Sequence, residues 1–282
     1  MTDATARARS IKVTADAVTA MERELPVEMP VALVYDGTTH AVMMASPANL
    51  EDFAVGFSLN EGIVETADEI EQLEVVEHDH GIELRMWLAK DRGLALAARR
   101  RRIVGPTGCG LCGIESLDEA NPPMPPVTRE ISFTSAEIMK AMASLAPAQE
   151  LNMRTRAVHG VGFWSSDQGL VAIAEDVGRH NALDKLVGAL KRRDVDVGSG
   201  IILLTSRVSV EMVQKAGRAG APVIVAVSAP TKLALETADA AGITLVAIAR
   251  QDGFEIFTHP ERISEAVAPN GKSGRPAKNA AA

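Results

Sequence analysis

The sequence has only two cysteines among its 282 residues, and it has no apolar run near the ~18 residues that a membrane-spanning helix needs. Its first residues also lack the apolar core of a secretory signal. These absences argue against a disulfide framework and predict a cytoplasmic protein without a membrane partner. The formal net charge of −8 argues against nucleic acid as a general partner, although a local basic cluster can still bind a small anion.

The two cysteines, Cys109 and Cys112, lie in one glycine-rich loop that follows four consecutive arginines at positions 99–102. Two cysteines placed at random would stand three positions apart in about one chain in a hundred, so the spacing is a signal. The guanidinium groups favour the thiolate, which attacks sulfur or binds a metal, and the glycines allow a partner to approach closely. We interpret the loop as a site of sulfur chemistry; the alternative is a pair of small buried apolar side chains. No bound metal is expected, because clustered histidines that would complete a tetrahedral zinc site are missing.

The succession of apolar and polar segments predicts a two-domain chain of the α/β class. Glycine, proline and charge clusters divide the chain into an N-terminal tail and lead-in (1–28), a small ββαββ domain (29–98), the arginine and cysteine loop with a proline-rich linker (99–127), a larger α/β domain (128–267) and a disordered tail (268–282). The first 12 residues and the last segment are expected to be mobile, because they are polar and show no periodicity.

Two strand pairs and one helix are predicted in the small domain. The first pair turns at Asp36-Gly37 and the second at residues 79–81. Ser46-Pro47 supplies an N-cap and a first helical position for the helix between the pairs, and Gly62 ends that helix.

The larger domain is predicted to place a ligand site at one edge of its sheet. A capping box from Thr134 to Glu137 opens its first helix, and its last three strands are almost entirely apolar, as expected for parallel strands covered on both faces. Ligands of open α/β sheets bind beyond the carboxyl ends of the strands, where helix N-termini favour phosphate. The strand ends carry the candidate binding residues Arg179, His180, Ser206, Arg207, Ser228, Ile248, Ala249, Arg250, Gln251, Asp252 and Gly253.

Two motifs carry a resemblance to a known family. One is Thr-Gly-Cys-Gly-Leu-Cys-Gly at 107–113, and the other is Glu-Asp-Val-Gly-Arg-His-Asn-Ala-Leu-Asp-Lys at 175–185. With shorter matching stretches at 30–35, 206–215 and 258–262, the chain resembles the formate dehydrogenase accessory sulfurtransferases of the FdhD family.

This resemblance implies a sulfur carrier that accepts sulfur from a cysteine desulfurase as a cysteine persulfide. The acceptor would be the molybdenum of bis(molybdopterin guanine dinucleotide), before that cofactor enters formate dehydrogenase. By position, Cys109 would bear the persulfide with Cys112 as its companion, and residues 248–253 would belong to the cofactor site. The resemblance also implies a cytidine-deaminase-like three-layer sandwich with a small inserted domain, and a homodimer.

Three other functions are weighed against this one. A zinc deaminase needs H-x-E and P-C-x-x-C at two helix starts, where this chain has His180-Asn181-Ala182 and residues 205–209; His259-Pro260-Glu261 is interpreted as a chance match or a turn. A dithiol redox protein has the same C-x-x-C, although here without the strand-to-helix setting of a thioredoxin-like motif. The third is a guanine-nucleotide-binding scaffold whose thiols are incidental.

Overall fold

The computed structural model describes residues 3–93, 96, 124 and 126–264. In this part of the chain the strands are β1 (Thr5–Val13), β2 (Val18–Pro26), β3 (Met29–Tyr35), β4 (Thr38–Ala45), β5 (Ile70–His78), β6 (Gly81–Leu88), β7 (His159–Ser165), β8 (Gly169–Asp176), β9 (Ile201–Leu204), β10 (Val223–Ala226), β11 (Thr244–Arg250) and β12 (Gly253–Thr258). The main helices are α1 (Leu50–Asn60), α2 (Ser135–Ala148), α3 (Glu150–Thr155), α4 (Arg179–Arg192), α5 (Val210–Arg218) and α6 (Lys232–Ala240).

The predicted N-terminal tail is wrong for residues 5–13, which form β1 and pair antiparallel with β2. The register sets Arg7 opposite Glu24 and Arg9 opposite Glu22, so unlike charges face each other across the ribbon. At its base, Nε of Arg154 donates a hydrogen bond to a carboxylate oxygen of Glu24 at 2.7 Å. The ribbon is therefore ordered by cross-strand pairing and one distant arginine, and a search for apolar periodicity misses both.

The small unit is a four-stranded sheet in the order β4-β3-β6-β5, with α1 packed on one face. Strand β6 alternates strictly, so that Ile82, Leu84, Met86 and Leu88 are buried beneath Phe53 and Phe57 of α1. The two predicted turns, at Asp36-Gly37 and at residues 79–80, are both present. The predicted ββαββ unit is confirmed.

The predicted start of α1 is wrong, because the helix begins at Leu50 with Asn49 at the N-cap. Ser46 has other partners: its backbone N–H donates to Oδ2 of Asp176 at 3.0 Å, and its hydroxyl accepts from the N–H of Val177 at 3.2 Å. Residues 130 positions away thus take the groups that a local cap would use.

The larger unit is a six-stranded sheet in the order β12-β11-β10-β9-β7-β8. Strands β9, β10 and β11 are parallel, and β7 runs antiparallel to both β8 and β9. Helices α4, α5 and α6 cover one face, whereas α2 packs on the other against Phe133 and Trp164. The α/β class with three layers is confirmed, and no helix among the described residues is long and apolar enough to cross a membrane.

The two units meet where α1 crosses α4 at a pair of glycines. A Cβ added to Gly56 would lie 1.7 Å from the carbonyl oxygen of Asp184, and one added to Gly188 would lie 1.9 Å from that of Asp52. Only glycine permits the two helix backbones to approach this closely. The contact fixes the small unit against the helix that begins at the candidate site.

Candidate functional site

The predicted site residues lie along one edge of the six-stranded sheet. Because β8, β9, β10 and β11 run in one direction, their carboxyl ends meet there, and β7 begins there. Backbone bonds join the segments beyond the strands: Val208 N–H to the oxygen of Ala229 at 3.3 Å, and Ile248 N–H to that of Ser228 at 3.4 Å. Ser206, Arg207, Ser228 and residues 248–253 thus lie on adjoining segments, with Arg179 and His180 at the start of α4.

The three arginines of this edge have no carboxylate within ion-pair distance among the described residues. Arg92, Arg129 and Arg192 each pair with a carboxylate, whereas Arg179, Arg207 and Arg250 form no ion pair in the described part of the chain, like Arg156, Arg193 and Arg218 elsewhere in it. The Nε of Arg179 is also buried without a hydrogen-bond partner there. Unpaired guanidinium groups at one edge of an acidic protein create a local attraction for an anion, and they match phosphate geometry.

Ile248 has a left-handed backbone, with a φ of 52°. This conformation is a genuine outlier for a β-branched residue and costs about 1–3 kcal/mol, which contacts of the surrounding structure must offset. It coincides with a register shift between Ala247 and Arg250, so β11 bends where the predicted run 248–253 begins. The bend leads into an exposed turn at Gln251 and Asp252, and Arg250, the last residue of β11, is exposed beside that turn.

His180 is placed differently from the arginines. Its ring packs towards α5, where Nε2 stands 3.9 Å from a carboxylate oxygen of Glu211. Burial, together with the positive charges of Arg179 and Lys215, lowers the pKa of His180 to about 4. The imidazole is therefore neutral near pH 7 and adds no positive charge to the edge; its role as a binding residue stays a prediction.

The long motif at 175–185 has a structural task as well as a place at the site. Buried Lys185 donates to Oδ2 of Asp176 at 2.6 Å and to the carbonyl oxygen of Ser46 at 2.8 Å. Asn181 donates to Oδ1 of Asp176 at 3.1 Å and to the carbonyl oxygen of Met44 at 2.8 Å. These bonds hold the end of β4 against the end of β8, so the motif connects the two units.

Sequence reasoning missed His159, the first residue of β7. The candidate residues from the sequence all follow strands. An antiparallel strand, however, brings its first residue to the edge where its neighbours end. His159 lies opposite Asp176 in the register of β7 and β8. Burial, followed by the positive charge of Arg179, lowers the pKa of its ring. The signal that could have found it was the direction of β7.

The stretch at 258–262 lies at the opposite end of the sheet and is structural. Thr258 pairs with Leu245 at the start of β11, and Arg262 donates to the carbonyl oxygens of Gly242 at 2.8 Å and Val127 at 3.2 Å. His259 begins a short 3-10 turn. The interpretation of His259-Pro260-Glu261 as a turn is confirmed.

His259 should titrate above its ordinary range. Its Nε2 lies 2.8 Å from the carbonyl oxygen of Asp239 and its Nδ1 lies 3.0 Å from the carboxylate of Glu261, so both ring nitrogens donate in the imidazolium form. The backbone contact with Asp239, followed by Glu261, raises the pKa of His259. Its contribution to stability is complete below the unfolded pKa of about 6.5 and is lost as the pH rises through the higher folded value.

We expect an NMR titration of the His259 ring to show a midpoint above that of a denatured control. The free energy of unfolding of His259→Gln should lose the corresponding decline above about pH 6.5. A folded midpoint at or below the denatured one would contradict the two contacts.

Cys109 and Cys112 lie outside the described residues, as do residues 99–102 and most of the proline-rich linker. Their assignment as sulfur-carrying residues stays a prediction. Within the ranges that the structure does describe, no three His, Cys, Asp or Glu side chains cluster closely enough to hold a metal ion. The absence of zinc from the whole protein likewise stays a prediction.

Comparisons with known proteins agree with this fold. The model of the FdhD/NarQ family matches residues 26–264. The chain is 54% identical to a sulfur carrier protein FdhD of Agrobacterium fabrum, over 86% of this chain and 90% of that protein, and 46% identical to one of Cupriavidus necator, over 85% and 83%. A crystal structure described as a formate dehydrogenase accessory protein, from Desulfotalea psychrophila, superimposes with a TM-score of 0.74 at 25% identity, over 93% of this chain and all of that one. The chain belongs to the FdhD/NarQ family.

Proposed function

We propose that this protein is a sulfur carrier that takes persulfide sulfur from a cysteine desulfurase and delivers it to the molybdenum of bis(molybdopterin guanine dinucleotide) for formate dehydrogenase. The molybdenum cofactor is the acceptor substrate, and the strand edge holds its guanine nucleotide. The names of the relatives support sulfur carriage. The observation that supports the acceptor site is the position of Arg179, Arg207 and Arg250 along that one edge, without ion pairs among the described residues.

The sulfur step assigned to Cys109 is a thiolate displacement. The Cys109 thiolate attacks the outer sulfur of the desulfurase persulfide, forms a new S–S bond, and releases the desulfurase cysteine as its thiolate. Arginines 99–102 favour the attacking thiolate. Cys112 stands close enough in sequence to assist release, but an attack by Cys112 on the inner sulfur would discharge hydrosulfide and leave a disulfide.

If the strand edge holds the guanine nucleotide of the cofactor, GDP should bind there, and added salt should weaken the binding. Arg207→Ala and Arg250→Ala should each reduce GDP affinity by about tenfold, the loss of one charge-assisted hydrogen bond. The remaining affinity should depend less steeply on ionic strength, because fewer cations face the phosphates. Isothermal calorimetry across a salt series measures both effects.

Arg129→Ala is the matched control for these two variants. Arg129 is exposed like them, but it pairs with Asp196, next to the start of β9 at the opposite end of the sheet. Its loss should leave GDP affinity unchanged. Unaltered affinity in both edge variants would remove the proposed pocket.

Two alternatives make different predictions. A dithiol redox protein would cycle Cys109 and Cys112 through a disulfide without carrying extra sulfur. A guanine-nucleotide-binding scaffold would bind GDP and retain its function without either thiol. A homodimer, a cytoplasmic location and direct contact with the desulfurase and formate dehydrogenase belong to the proposal as well.

A further inference from the structure

We infer that His159 contacts the ligand of the strand edge, and that a phosphate group binds between its imidazole and the guanidinium of Arg179. This inference rests on the proposed function and deepens it. It assigns a phosphate of the ligand to the part of the edge formed by β7, β8 and the start of α4.

The path of the chain places His159 at this point. It opens β7 at the edge where β8 and β9 end, and the next residue, Gly160, exchanges backbone and side-chain hydrogen bonds with Thr205 at the end of β9. His159 has the same parity along β7 as Val161 and Phe163, which pack in the core beneath α4, α5 and α6. Its ring therefore projects on the face of the sheet where α4 begins.

The surroundings of the ring leave room for an anion. His159 is only partly buried, and its ring forms no hydrogen bond with the described residues. Besides burial, the charges of two groups shift the pKa of the ring: Arg179 of α4 lowers it and Asp176 of β8 raises it. Asp176 is already engaged by Lys185 and Asn181. Arg179 forms no ion pair in the described part of the chain, although its charge also acts on the carboxylate of Glu211 in α5. A phosphate placed between the imidazole and the guanidinium would satisfy both.

Binding at this position should be coupled to a proton. Burial and the charge of Arg179 hold the pKa of His159 below its usual range, so the free ring is neutral near pH 7. A bound phosphate offsets the guanidinium charge and favours the imidazolium, which raises the pKa of His159 in the complex. Because the complex then holds more protons, affinity falls as the pH rises from the free pKa to the bound one.

Two measurements test this inference with inorganic pyrophosphate and GDP as probes. Calorimetry from about pH 5 to 8 should show that His159→Gln binds both probes about tenfold more weakly than the wild type and lacks the additional pH dependence. His259→Gln, at the opposite end of the sheet, should bind like the wild type. NMR of the wild type should show that the titration midpoint of the His159 ring rises when pyrophosphate is added. This measurement does not depend on whether His159→Gln folds.

Equal affinity and equal pH dependence in His159→Gln, or a His159 midpoint that does not move with saturating pyrophosphate, would overturn the inference. The proposed loading of Cys109 by the desulfurase assigns no role to His159. Normal loading with an unresponsive His159 would therefore leave the sulfur half of the proposed function intact. A wild-type chain that binds neither probe would overturn both this inference and the proposed cofactor pocket.

Discussion

Substitution of Cys109 with alanine is expected to abolish the activation of formate dehydrogenase in cells. The proposed mechanism has one obligatory nucleophile, and the substitution removes the sulfur atom to which that mechanism transfers the desulfurase sulfur. Cys109 is nearer in sequence than Cys112 to the arginines at 99–102, and the first thiolate of a C-x-x-C motif commonly receives hydrogen bonds from the amides that follow it. Formate dehydrogenase activity in a strain that carries only the variant measures the effect.

Cys112→Ala is the matched control, since it removes the same group three residues away. We expect a measurable remainder of activity, because the proposed mechanism gives Cys112 only an assisting role in release of the sulfur. Immunoblots should show equal protein levels for the two variants. Full activity without Cys109, or a larger loss on removal of Cys112, would refute the assignment.

Substitution of Lys185 with methionine is expected to lower the free energy of unfolding by about 3–5 kcal/mol. Lys185 and Asp176 are both fully buried, with Nζ and Oδ2 2.6 Å apart, and removal of the cation leaves a buried carboxylate without its charge partner. The bond from Lys185 to the backbone of Ser46 would be lost as well, which loosens the contact between the two units. Urea denaturation followed by circular dichroism gives the change.

Two variants make the Lys185 result interpretable. Lys191→Met removes an exposed lysine from the same helix and should stay within about 0.5 kcal/mol of the wild type. Combining Lys185→Met with Asp176→Asn removes the stranded charge and should recover part of the stability. A loss below about 1 kcal/mol for Lys185→Met would show that the pair does not hold the units together.

Local signals in the sequence predicted those elements whose stabilising contacts are also local. The capping box is an example: Thr134 accepts from the N–H of Glu137 at 3.1 Å, and the carboxylate of Glu137 accepts from the N–H of Thr134 at 2.8 Å. The apolar runs of β9, β10 and β11 are likewise buried on both faces, as parallel strands require. Neither feature depends on a distant residue.

The elements that were missed depend on contacts between distant residues. Ser46 looks like a cap in sequence, but Asp176 and Lys185 take its backbone groups. The β1-β2 ribbon leaves Ile11, Val13 and Val18 largely exposed, so it has no apolar signature. Strand β12 follows the bend at Ile248, which pattern reasoning treats as the end of the sheet.

The same distinction applies to the site. Strand direction could be inferred for the parallel run, and it brought Arg179, Arg207 and Arg250 to one edge as predicted. The missing ion pairs of those arginines could not be predicted, because they depend on which carboxylates the fold brings near. The structural role of Asp176 and Lys185 could not be predicted either, because the same motif at 175–185 supplies residues of the ligand edge and residues that connect the two units.

The most direct test of sulfur carriage is the mass of the peptide that contains Cys109 after the protein is incubated with a cysteine desulfurase and cysteine. The proposed mechanism predicts an adduct of about +32 Da on Cys109, which a reductant removes and which does not form on Cys109→Ala. A peptide that gains no sulfur and shows only a disulfide between Cys109 and Cys112 would contradict sulfur carriage and favour dithiol redox chemistry.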